Sequence, residues 1–233
     1  MSSTGGPNIS SQDLILYLDA ANPKCFQSGW TTCNNLITNG LVTGANGSPG
    51  AGTHTPNPSN FPTYNSANGG VFDFAGGKGM NCEENLGFRT ETTLIMWFYK
   101  NSGNTQYFSD ARNNGGQWFL SNYTSDNINY TEQMTYNYDG VYNASNSNFL
   151  NKWTHMVVTS TGSGSKLYLN GELISTGIRN SIDEDFGVNF RIGTRYTTSG
   201  PWTGYMGPIL AYGREILQDE VLEHYNGTKY RFI

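Results

Sequence analysis

Residues 166–175 read Lys-Leu-Tyr-Leu-Asn-Gly-Glu-Leu-Ile-Ser, and this decapeptide constrains the fold more than any other stretch of the chain. Asn-Gly tolerates two consecutive positive φ values, as a two-residue type I′ turn demands, and apolar residues flank it on both sides. The chain must double back here as an antiparallel hairpin. Further strand signals, bounded by turn-forming residues, recur at Leu14–Asp19, Val71–Phe74, Thr92–Tyr99, Thr105–Ser109, Gln117–Ser121, Ile128–Tyr136, Thr154–Thr161, Phe190–Arg195 and Tyr205–Tyr212. Alternation at Val71–Phe74 sends Phe72 and Phe74 to one face, with Val71 and Asp73 opposite. Thr92–Tyr99 is apolar on both faces, as a central strand covered on both sides requires, which predicts a core position for Trp97.

The 29 glycines and 15 tyrosines agree with many short strands and tight turns, since Gly supplies positive φ and Tyr suits a half-buried pleated surface. One helix is predicted, near the end, where Leu217, Val221, Leu222 and Tyr225 recur at helical spacing. Gln218, Asp219 and Glu220 enrich its first turn, and Gly227 is placed to stop it. The sequence therefore predicts an all-β, two-sheet antiparallel sandwich with one short C-terminal helix. A single domain over residues 1–233 is expected, interrupted by a long irregular excursion at about residues 22–68, where Pro49, Pro56, Pro58 and Pro62 break pairing.

A net charge of -5, with no run of Lys or Arg, argues against a nucleic-acid partner. No apolar run approaches the roughly 20 residues of a membrane helix, and Met1–Ser11 lacks the basic start and apolar core of an export signal, so neither a membrane nor secretion is expected. Cys25, Cys33 and Cys82 show no zinc-type spacing. They read as reduced thiols, with a Cys25–Cys33 bridge as the alternative.

Several segments resemble a known family. Gly6-Pro7-Asn8-Ile9, Leu16–Lys24 and Ala67–Phe74 are followed in order by Trp153–Val158, Leu167–Gly171, Ile192-Gly193, Gly204–Tyr212 and Tyr225–Phe232. Together they resemble the concanavalin A-like, laminin G-like domains of structural proteins of tailed bacteriophages, cyanophages among them. The resemblance implies a jelly roll, often sugar-binding, that serves as a capsid-decoration, baseplate or tail-fibre module. It also implies a virion location after assembly in the host cytoplasm. The implied partners are other virion subunits, such as the major capsid protein or fibre and baseplate proteins, within a homo-oligomer or symmetric assembly, together with host surface glycans. The alternatives are a dedicated lectin-like attachment module and a glycoside hydrolase.

Catalysis is not expected. Hydrolysis on this fold needs paired carboxylates, and the Glu-x-Asp-x-x-Glu run of glucanases with this fold is absent; Asp183-Glu184-Asp185 reads as a turn. His54, His155 and His224 are far apart in sequence and suggest neither a triad nor a metal centre. No cofactor is expected. Calcium is the one ion the loops invite, at Asp110–Asn114 and Asp126–Asn129, although turn-forming Asx residues explain both equally well. For a glycan or protein partner the candidates are Arg195, Tyr196 and Trp202, which bracket one loop, with Tyr123 and Tyr130; the competing role for these aromatics is packing against the excursion or a neighbouring subunit.

Overall fold

A computed structural model describes residues 9–44, 58–83, 86, 91–101, 106–110, 118–123, 127–132, 140–142, 149–177, 190–194 and 201–233; within 118–142 only the backbone is described. In chain order the strands are β1 (Leu14–Leu18), β2 (Cys33–Asn34), β3 (Leu41–Gly44), β4 (Thr63–Asn65), β5 (Val71–Asp73), β6 (Met80–Cys82), β7 (Thr92–Lys100), β8 (Gln106–Asp110), β9 (Trp118–Tyr123), β10 (Asn127–Glu132), β11 (Gly140–Tyr142), β12 (Trp153–Thr161), β13 (Gly164–Leu169), β14 (Glu172–Gly177), β15 (Arg191–Ile192) and β16 (Gly204–Tyr212). One α-helix, α1 (Gln218–Thr228), follows.

The strands form two antiparallel sheets of eight. The first runs β14-β13-β12-β7-β16-β5-β4, and β1 lies beside β16 along the edge that β5 also uses; the second runs β11-β10-β9-β8-β15-β6-β3-β2. β16 can serve both partners because its register shifts between Met206 and Ile209, so β5 pairs with Tyr205 and Met206 while β1 pairs with Ile209–Tyr212. A shift of this kind is a bulge, which bends the strand and re-aims its ladder.

Period-two alternation decides what each face of the first sheet buries. Leu94, Met96 and Phe98 of β7, Met156 and Val158 of β12, and Met206, Ile209 and Ala211 of β16 point between the sheets into the main core. Their neighbours Ile95, Val157 and Leu210 point the other way, and there Ile216 and Val221 cover them. The outer face is therefore a second core under the C-terminal helix, which explains why β7 is apolar on both faces from Leu94 to Tyr99. Trp97 is fully buried on this outer side, its ring 4.6 Å from Phe232 and its indole N–H donating to Thr228 Oγ1 at 2.8 Å.

The 170–171 turn has φ +52 at Asn170 and +85 at Gly171, the two left-handed values that a type I′ turn requires. Three features differ from the sequence reading. The excursion contains β2, β3, β4 and a 3-10 turn at Pro58–Asn60; ladders of two to four residues carry too little alternation to be read from sequence. The buried face of α1 is Val221, His224 and Thr228, while Leu217 and Leu222 are exposed. Gly227 does not end α1, which runs to Thr228 and tightens into a 3-10 turn over Lys229–Arg231.

The C-terminal segment is locked down by charge as well as packing. Arg231 donates to both carboxylate oxygens of Asp19 at 2.9 and 3.0 Å, to Gly70 O at 2.8 Å and to Asn68 O at 2.9 Å, while Asn68 Nδ2 donates to Arg231 O at 2.7 Å. Gly70 sits at φ +129, and a Cβ there would lie 2.9 Å from Ala20 O, so only glycine lets the chain pass this close to the end of β1.

Candidate functional site

Between β1 and β2 the chain turns on side-chain caps and backbone bonds. Asn22 O accepts from Cys25 N and Phe26 N, Gln27 O accepts from Trp30 N at 3.1 Å, and Asn34 N returns to Cys25 O at 3.0 Å. Phe26 anchors the loop in the core, packed against Phe61, Phe72 and Tyr64 at ring distances of 5.3, 5.3 and 6.2 Å. With its root held, the loop presents Trp30 to solvent, 40% exposed in a chain whose Trp97 and Trp202 are fully buried.

Opposite Trp30 runs the edge strand β4, carrying Thr63 and Tyr64. Gly79 N donates to Asn60 O at 2.9 Å, which ties the Pro58–Asn60 turn to the segment bearing Lys78. These pieces enclose a groove of about 470 Å³ lined by Trp30, Tyr64, Lys78 and the hydroxyl side chains of Ser28, Thr31 and Thr63. A second hollow of about 310 Å³ adjoins it, sharing Ser28 and Tyr64. No carboxylate lines either hollow among the described residues. An exposed indole, a phenol, several hydroxyls and one ammonium in a shallow cleft can stack on an apolar ring face and bond to peripheral hydroxyls; they cannot supply the acid and base of glycoside hydrolysis.

Of the residues singled out from sequence, Trp202 lies away from this groove. Trp202 is fully buried, not on a rim. Its ring packs against Phe108 at 4.6 Å and edge-on to Phe98 at 5.6 Å, and Trp202 N donates to Gly193 O at 2.7 Å. The inward direction was readable, since Trp202 shares its parity with Met206 when the alternation of β16 is extended upstream. Tyr123 ends β9 and Tyr130 lies in β10, with Tyr123 paired to Asn127 and Tyr130 to Leu120 across that ladder. Arg195 and Tyr196 lie outside the described residues, as do His54, Asp183–Gly187, 111–114 and Asp126. Asp110 closes β8, buried and in register with Arg191. Trp30 gave a weaker signal, a lone indole in the polar run Ser28–Thr32 without alternating neighbours.

Two histidines that sequence reasoning kept apart meet beneath α1. His155 Nε2 and His224 Nδ1 are 2.9 Å apart with stacked rings, and Trp97 and Tyr225 close the site. Burial holds His224 down to about 4, and burial followed by the neighbouring imidazole holds His155 well below the usual histidine value. Both rings are neutral at pH 7. One proton bridges the pair, and the outer nitrogens, His155 Nδ1 and His224 Nε2, find no partner among the described residues. The pair is packed between β12 and α1, and among the described residues no group of three or more His, Cys, Asp or Glu could hold a metal ion.

Cys25, Cys33 and Cys82 are buried free thiols. A hydrogen bond from Cys33 lowers the Cys25 thiol, while burial raises that of Cys33. No helix among the described residues is long and apolar enough to cross a membrane.

The model of the concanavalin A-like lectin/glucanase superfamily matches residues 75–222, more than half of the sequence. The chain belongs to this superfamily. Solved structures of similar shape include domain 4 of AbnA, an extracellular GH43 arabinanase from Geobacillus stearothermophilus, determined in complex with arabinotriose. It is 16% identical, with a TM-score of 0.67 over 92% of this chain and 98% of that one. The receptor-binding domain of botulinum neurotoxin type G is 16% identical, with a TM-score of 0.62 over 92% of this chain and 51% of that one. A Trypanosoma rangeli sialidase mutant with trans-sialidase activity is 13% identical, with a TM-score of 0.61 over 95% of this chain and 34% of that one. At these identities the likeness establishes the concanavalin A-like sandwich and nothing finer. No curated protein matches the sequence.

Proposed function

We propose that this chain is a non-catalytic carbohydrate-binding module whose ligand lies in the groove of Trp30, Tyr64 and Lys78. The observation that carries the reading is the exposed Trp30 indole on a hydroxyl-lined groove that has no carboxylate among the described residues. An aromatic face offers a sugar ring apolar contact, while the hydroxyls and the ammonium satisfy its periphery. A domain of similar fold solved in complex with arabinotriose supports the reading. The test is a glycan array probed with the intact chain and with Trp30→Ala. Binding by the intact chain that Trp30→Ala removes, without a change in melting temperature, is expected; equal binding by both, or release of reducing sugar from a bound glycan, overturns it.

A second reading places the module on a tailed-phage particle, as a capsid-decoration, baseplate or fibre subunit that presents the groove to host glycans. It is favoured by one observation. Three of the segments that resemble phage structural domains, Leu16–Lys24, Ala67–Phe74 and Tyr225–Phe232, meet at the Arg231 clasp and so form one physical unit. Mass spectrometry of purified particles should detect the chain in stoichiometric copy number, and particles that lack it sink this reading while leaving the groove untouched.

A further inference from the structure

We propose that the groove selects acidic saccharides, those bearing a carboxylate or sulfate, and that Lys78 is the residue that selects them. This rests on the reading of the groove as a glycan site.

Arg231 faces Asp19, Arg214 faces Glu220 and Lys166 faces Glu215, each within 2.9 Å, while Lys24 and Lys152, which face no carboxylate among the described residues, are exposed to solvent at the surface. Lys78 is half-buried in the groove wall and faces no carboxylate among the described residues. A partly desolvated ammonium without a counter-charge gains most from an anionic oxygen, because charge-assisted bonds are roughly twice as strong as neutral ones. The rest of the lining is complementary. Trp30 and Tyr64 supply ring faces, Ser28, Thr31 and Thr63 supply neutral donors and acceptors, and among the described residues no acidic side chain lines the groove to repel a bound anion. The chain as a whole carries -5, so its general field disfavours anions and a polyanion would find little to hold it elsewhere. The combination fits one acidic substituent on a sugar whose ring lies against the aromatics.

The experiment uses the intact chain on an array of neutral, uronic-acid and sulfated oligosaccharides. Each acidic ligand found is then titrated beside its methyl-esterified or desulfated counterpart. Acidic ligands are expected to bind at least tenfold tighter than their neutralised counterparts and to weaken as salt rises. Lys78→Gln should erase both the preference and the salt dependence, Lys78→Arg should keep them, and Trp30→Ala should weaken acidic and neutral ligands alike. The uronate and sulfate arms identify which anion is preferred. Binding confined to neutral sugars, or an acidic preference that survives Lys78→Gln with the fold intact by melting temperature, overturns the selection and leaves the groove reading standing. An array with no bound sugar at all overturns the groove reading and this inference with it.

Discussion

Asp19 and Arg231 stand 212 residues apart in sequence and share two hydrogen bonds of 2.9 and 3.0 Å. The pair fastens the end of the chain to the end of β1, and the Asn68 and Gly70 carbonyls complete the guanidinium's shell. With side-chain exposures of 26% for Arg231 and 10% for Asp19, the pair is largely shielded from solvent screening.

Removing one partner of such a pair leaves an uncompensated charge and two carbonyls without a donor. Arg231→Met is expected to cost about 3 kcal/mol in urea unfolding, the scale for breaking a shielded ion pair from one side. Arg231→Lys should recover only part of this, because an ammonium cannot form the two-pronged contact. A cycle with Asp19→Asn should return a coupling energy on the order of 1–3 kcal/mol, and additivity of the two single variants would show that the contact is not made.

Burial of the His155–His224 pair is expected to make the fold lose stability in acid. Both imidazoles are held below their unfolded value near 6.5, so the unfolded chain takes up protons first as pH falls. The stability tied to neutral rings is complete above that value and is lost progressively toward pH 4. Thermal melts between pH 7.5 and 4 should show a loss on the order of 1–3 kcal/mol from His224, at 1.36 kcal/mol for each unit of depression. The slope should shrink in His224→Gln, and an unchanged slope would place the acid sensitivity elsewhere.

Trp202 belongs to the core, and its truncation should behave accordingly. Trp202→Ala is expected to cost about 3–5 kcal/mol of stability, as for other buried tryptophans, and Trp202→Phe should cost less because it keeps the contacts with Phe98 and Phe108. Unfolding midpoints measure this. A stable Trp202→Ala protein would mean that the ring does not sit between the sheets.

At Gly171, φ is +85, and an added Cβ would lie 3.1 Å from Leu222 Cδ2 and Tyr225 Cδ1. Gly171→Ala therefore combines backbone strain with crowding against α1, at about 1–2 kcal/mol. The melting temperature should fall by about 2–8 °C for a chain of this size, and no fall would argue against the I′ geometry.

The sequence by itself determined the local architecture. The turn at Asn170-Gly171, the alternation of β5, the doubly apolar β7 and the late helix all rest on residues one to four positions apart, and the chain carries that information wherever it folds. The tertiary structure alone decided which distant surfaces meet. His155 and His224 pair only because α1 lies over β12, Arg231 finds Asp19 only because the last turn reaches the end of β1, and Trp30, Tyr64 and Lys78 share a groove only because an edge strand and two loops converge there. No periodicity records such meetings, since contacts of long sequence separation depend on how sheets and loops pack and not on the order of neighbouring side chains.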